Sequence, residues 1–268
     1  MSIAENRPFP ATPPILEVQD VTRSFYGVHA LRGASFTVEA GRITGLIGPN
    51  GAGKTTLFNC ISGLIPADSG RVLFEGHNIT RWRPDQITRR GLVRTFQIAR
   101  GFPRLSIFDN LMIYGQGQPG EAFTAALIRP PQLRVREEEL KLRALAIARR
   151  LNLMRVLAER AANLSGGQKK LLEIGRALMA EPKLILLDEP VAGVNPSLTL
   201  EIGTHLRDLV ADGISILLIE HHMDMISRLC DHVIVMAEGR RLTEGTFAEL
   251  ASNESVQEAY MGRRKWAS

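Results

Sequence analysis

Ile43-Thr-Gly-Leu-Ile47-Gly48-Pro49-Asn50-Gly51-Ala52-Gly53-Lys54-Thr55-Thr56 is the stretch on which the fold turns. Ile43 to Ile47 is a short apolar run bounded by glycines, the form of a buried strand. Gly48 to Thr55 fits G-x-x-x-x-G-K-[ST], and an apolar-periodic segment from about Lys54 to Gly63 reads as a helix. Strand, glycine loop and helix in that order make an anion site. Small residues let backbone N–H groups close around phosphate oxygens, and the helix N-terminus adds partial positive charge. Lys54 is placed to reach the β- and γ-phosphates, and the Thr55 hydroxyl to ligate Mg2+. The expected ligands are ATP and Mg2+, with the whole run from Gly48 to Thr56 around the phosphates.

Working outward, Leu184-Ile-Leu-Leu187-Asp188-Glu189 is an aliphatic strand that delivers two carboxylates at its C-terminal end, where α/β sheets place their ligands. Asp188 suits Mg2+, directly or through water. Glu189 suits a general base that orients the attacking water. Pro190 ends the strand. Between the two motifs, Leu164-Ser165-Gly166-Gly167-Gln168 opens a helix-like run that extends to about Ala180. Ser165 and the Gly166-Gly167 backbone therefore sit at a second helix N-terminus, a second anion site. One chain has no need of two γ-phosphate sites. Two copies facing head to tail use both, each ATP lying between the loop of one and the pentapeptide of the other.

The 268 residues can bury a substantial core, with 44% hydrophobic and 23% charged content. No apolar run approaches the roughly 18 to 20 residues that span a bilayer, so a membrane role must come through a partner. Residues 1–14 are proline-rich, lack a secretory pattern and read as a disordered tail; Arg263-Arg264-Lys265 reads as a solvated basic tail over residues 263–268. Cys60 and Cys230 read as two buried free thiols, in keeping with a cytosolic location. The net charge of +5 does not demand nucleic acid. Strands are expected at Ile15 to Val21, Ala34 to Val38, Arg71 to Phe74, Val93 to Phe96, Ile214 to Ile219 and Val233 to Met236. Helices are expected at Arg134 to Leu151, Ser197 to Val210 and His222 to Leu229. Gly115 to Gly120 and Pro130-Pro131 mark loops. Strand–helix alternation at both ends of a helical middle, about residues 103–180, reads as an α/β domain with a helical insertion.

With these motifs quoted, the chain from Ile15 onward resembles the ATP-binding subunits of ABC transporters. The resemblance implies an α/β, P-loop ABC-type nucleotide-binding domain over residues 15–262, with an N-terminal antiparallel β subdomain and a helical signature subdomain. It implies that Leu164 to Gln168 serves the ATP of a facing subunit. It matches Gln97 to the glutamine that senses the γ-phosphate and Mg2+, and His221 to the histidine that contacts the γ-phosphate. His222 reads instead as a helix-start surface residue. The resemblance matches Phe25 to the aromatic that stacks on adenine, with the adjacent Tyr26 as the alternative. The family usually carries Asp where this chain has Asn195, which hydrogen-bonds but brings no charge to the dimer seam.

The run from Arg94 to Leu111, Pro190-Val-Ala-Gly-Val-Asn-Pro196 and Glu258-Ala-Tyr-Met-Gly262 are similar to ATPases of branched-chain amino acid importers; importers of urea, amides or other amino acids share them. The resemblance implies a second ATPase subunit, identical or related, transmembrane permease subunits, and indirectly a solute-binding protein. It implies a peripheral position on the cytoplasmic face of the inner membrane. The permease contact is expected after Gln97, around Ile98 to Leu105, with Phe102 and Leu105 as apolar contacts. The rival readings are an exporter or lipid-extraction ATPase and a soluble ABC ATPase of DNA repair or translation; the soluble type usually has two cassettes or a long coiled-coil insertion.

Overall fold

The computed structural model describes residues 13–95, 102–117 and 131–261. Phe96, Gln97, Ile98, the two tails apart from residues 13 and 14, and Gln118 to Gly120 of the expected loop lie outside them. Two sheets organise the chain. The first is antiparallel, in the order β2-β1-β4-β5, from β1 (Leu16–Phe25), β2 (Val28–Val38), β4 (Ser69–Phe74) and β5 (His77–Asn78). The second runs β10-β9-β3-β8-β7-β6, from β3 (Ile43–Ile47), β6 (Leu92–Arg94), β7 (Leu184–Asp188), β8 (Ser215–Ile219), β9 (His232–Ala237) and β10 (Arg240–Gly245). It is parallel except where β10 returns along β9.

The second sheet is covered on both faces, which is why its strands are continuous apolar runs rather than alternating ones. Leu46, Leu186, Leu217 and Ile234 point into a core shared with the first sheet and α1 (Lys54–Ile61). Ile47, Leu187, Leu218 and Val235 point the other way, into a core completed by helices. Those helices are α3 (Ile107–Ile113), α4 (Pro131–Arg150), α5 (Gly166–Met179), α6 (Pro196–Ala211) and α7 (Met223–Leu229), after the short α2 (Pro84–Arg90). The chain closes with α8 (Phe247–Ala251) and α9 (Glu254–Met261).

β1 and β2 run well past their expected ends and meet in a hairpin. Bulges at Val18/Val21 and Arg23/Ser24 break the alternation that would have extended the reading. Tyr26 and Gly27 have φ of 49° and 85°, the pair of positive values that a tight two-residue turn requires. The long helix α4 begins at Pro131, not Arg134; proline belongs in a first helical turn, where the missing N–H has no intrahelical partner to lose. Cys60 is buried and Cys230 half-buried, both free, and burial pushes their thiols up to about 11 and about 12.

Candidate functional site

The parallel order fixes the site. β8 lies between β3 and β7, with Ile219 level with both Leu46 and Asp188. The loop after β3, the acids after β7 and the segment after β8 therefore emerge side by side from one sheet edge.

The loop's shape is dictated by what surrounds it. Gly48 has φ 149°, and a Cβ there would lie 2.1 Å from the Met236 carbonyl oxygen. Gly53 has φ 96°, and a Cβ would lie 2.5 Å from the Ala30 carbonyl oxygen. Neither site admits a side chain. The Ala52 carbonyl accepts from Gly239 N at 3.1 Å, and the Gly239 carbonyl accepts from Arg32 N at 2.8 Å. The loop is thus braced by the β9–β10 turn and by β2. Lys54, 6% exposed, donates from Nζ to the carbonyls of Gly48 (2.6 Å) and Pro49 (3.0 Å). Burial lowers its pKa below the ordinary lysine value, while the nearby charges of Glu189 and Asp188 act to raise it. Thr55 and Asn50 are exposed, and Thr56 and Pro49 half-buried.

Glu189 stands on a turn with φ 51°, its N–H bonded to the Ile219 carbonyl at 2.9 Å. A non-glycine residue in this region is strained by about 1–2 kcal/mol. The His221 Nε2 lies 3.2 Å from Glu189 Oε1, with the two side chains 40% and 27% exposed. Glu220, 1% exposed, ties the β7 and β8 ends together. Its Oε1 accepts from Val191 N at 3.2 Å, and its Oε2 from His221 N at 3.0 Å and His222 N at 3.4 Å. His222 is exposed and starts α7. From α5, Lys170 Nζ donates to the Glu189 carbonyl at 3.4 Å.

Asp188 is engaged by Arg94, whose guanidinium donates to Oδ2 at 3.0 Å with both side chains nearly buried. Its other terminal nitrogen donates to Asn59 Oδ1 at 2.5 Å, and it lies over the Phe58 ring at 5.5 Å. Neither Arg94 nor Glu220 was singled out from sequence. The available signal was a charged residue abutting an apolar run, which more often marks a strand end at the surface. As a metal-binding set, Asp188 and the Thr55 hydroxyl fit Mg2+, which is held by one or two protein oxygens plus phosphates rather than by a closed protein cage.

The pentapeptide opens α5. Ser165 is the N-cap: its Oγ accepts from Gln168 N at 3.3 Å, and Gln168 Oε1 accepts from Ser165 N at 3.0 Å. The Gln168 side chain is thereby used within its own chain. Ser165 and Gly166 are exposed, and a Cβ on Gly166 would meet open space. Gly167 is buried, and a Cβ there would lie 1.5 Å from Leu198 Cδ2. Leu198 belongs to α6, whose N-cap is Asn195; its Oδ1 accepts from Leu198 N at 2.9 Å. Of the two aromatic candidates, Phe25 is half-buried beside the Arg23 guanidinium, 4.9 Å from the ring centroid, and Tyr26 is fully exposed at the turn.

The sequence matches the ABC transporter family over residues 31–192. It is 41% identical to a probable branched-chain amino acid transport ATP-binding protein LivG of Archaeoglobus fulgidus, over 92% of this chain and 95% of that one. It is 36% identical to the high-affinity branched-chain amino acid transport ATP-binding protein BraF of Pseudomonas aeruginosa, over 93% of this chain and 98% of that one. Among solved structures, an ATP-binding cassette of an ABC transporter in its ADP conformation superposes with a TM-score of 0.82 at 40% identity, covering 94% of this chain and 100% of that one.

Proposed function

This chain belongs to the ABC transporter family and is an ATPase, and we propose that it drives import of branched-chain amino acids or of related amino acids and amides. The solute class rests on relatives named for branched-chain amino acid transport at 34–41% identity.

The observation that carries the catalytic reading is the 3.2 Å pairing of His221 with Glu189, on the same sheet edge as Lys54. Glu189 accepts a proton from, and orients, the attacking water. His221 fixes the Glu189 carboxylate and contacts the γ-phosphate, and Glu220 holds both backbones. Lys54 exchanges its two carbonyl partners for β- and γ-phosphate oxygens. Thr55 and Asp188, with Gln97, hold Mg2+. When bound, Mg2+ neutralises charge on the phosphate oxygens; the rest of the catalysis is positioning. Phe25, with Arg23 beside its ring, is favoured over the fully exposed Tyr26 for adenine. Ser165 and Gly166, exposed at the N-terminus of α5, serve the ATP of a second ATPase subunit, identical or related.

Among the described residues no helix is long and apolar enough to cross a membrane. Permease subunits supply the membrane path, with a solute-binding protein upstream of them. Their docking surface on this chain is a cavity of about 940 Å3 between α2 and β6 on one side and α3 and α5 on the other. Phe102, 46% exposed, precedes α3. Photocrosslinkers at Phe102 and at Ile113, which lines the cavity and is 42% exposed, should capture a multi-span membrane protein; capture of none at either position removes this docking assignment.

The decisive test separates binding from turnover. Glu189→Gln should keep ATP affinity while turnover falls by about 10²–10⁴-fold. Turnover near that of the unaltered protein would place the base elsewhere. Leucine and acetamide uptake by proteoliposomes holding the full transporter would then decide the solute class.

A further inference from the structure

Arg94 is a buried cation already seated on the carboxylate that the proposed mechanism reserves for Mg2+. Its guanidinium spans Asp188 Oδ2 at 3.0 Å and Asn59 Oδ1 at 2.5 Å, over the Phe58 ring, with the paired side chains only 7% and 5% exposed. A carboxylate so deeply placed needs a counter-charge, and losing one partner of such a pair is costly. A guanidinium and Mg2+ compete for the same carboxylate charge. We propose that Arg94 is a positioning residue that neutralises Asp188 until Mg2+ displaces it. This inference rests on Asp188 being the metal carboxylate.

Arg94 also ends β6, three residues before Gln97, and lines the 940 Å3 cavity together with Asp85 and Glu173, which pair with Arg83 at 2.9 Å and Lys170 at 3.6 Å. The guanidinium thus borders the proposed permease face. Metal arrival would be reported to that face by a single side chain.

The test measures metal binding, not turnover. Calorimetry of the non-hydrolysable ATP analogue AMP-PNP, with Mg2+ and with EDTA, gives the ratio of the two dissociation constants. Arg94→Met keeps the aliphatic stem and removes the charge. It should weaken metal-free binding and strengthen metal-dependent binding, raising that ratio about tenfold or more, the effect of one opposite charge at contact. Arg94→Lys should return the ratio toward that of the unaltered protein, which a purely packing role would not predict. A ratio unchanged in Arg94→Met overturns the proposal. If Arg94→Met fails to fold, Arg94→Gln carries the same expectation. Asp188→Asn is the separate control. If it leaves the Mg2+ dependence intact, the metal assignment of Asp188 is wrong. If it abolishes that dependence while the Arg94 variants leave the ratio unmoved, only the displacement is wrong.

Discussion

Gly166 and Gly167 are adjacent and chemically identical, yet they answer to different constraints. Gly166 faces open space, whereas Gly167 is pressed on Leu198 of its own chain. Gly166→Ala should leave thermal unfolding of the single chain unchanged and weaken ATP-driven association of two. Gly167→Ala should lower stability by about 1–3 kcal/mol, the usual cost of overpacking, as read by denaturant titration. The reverse pattern would mean that the partner approaches over Gly167. At this scale Lys54, Asp188 and Glu189 were legible because their chemistry needs a fixed spacing from a strand end. Arg94 and Glu220 were not, because their partners lie 94 residues away at Asp188 and on another strand's loop at Val191, and no local pattern encodes such pairings.

Helix ends decide much at the scale of elements. Asn195 caps α6 through a side-chain oxygen, and Asp offers the same acceptor with a charge that suits a helix N-terminus. Asn195→Ala should therefore cost about 1 kcal/mol of stability. Asn195→Asp should cost nothing and can be compared directly in ATP-driven association, where any change reports the dimer seam rather than the cap. The central strands and the helices α5 and α6 were readable from apolar runs and periodicity. The extended hairpin was not, since its bulges shift the alternation; α2, α3, α8, β5 and β10 went unread because none carries a continuous apolar run or a sustained helical period, β10 being Arg-Arg-Leu-Thr-Glu-Gly with no buried residue. Their definition comes from features outside the apolar pattern. One is the Ser106 cap of α3, and another is the Thr246–Glu249 capping box of α8.

For the whole molecule, two halves of different sites are displayed by one chain. Glu189 and Lys54 lie at the edge of the parallel sheet, and Ser165 opens a helix of the other lobe. Asn110 fastens that lobe internally: buried in α3, it donates to the carbonyls of Phe102 and Ser106 and accepts from Arg176 of α5 at 2.6 Å. Mixing Lys54→Ala chains with Gly166→Arg chains should recover ATP hydrolysis that neither shows alone, since a mixed pair contains one intact composite site. Silence in the mixture, with both variants folded, would mean that the facing subunit is a different chain. The helical block was legible as a shift in composition, and the separate antiparallel sheet only through the family resemblance; the brace between the sheets was not legible, because it runs through backbone groups that carry no residue signature. That brace has a spectroscopic consequence. Ala52, Gly239 and Arg32 are linked carbonyl to amide, so the amide signals of Gly239 and Arg32 form a built-in gauge of the phosphate loop. Slower hydrogen exchange at those two amides on adding nucleotide would register occupancy from outside the pocket, with no turnover.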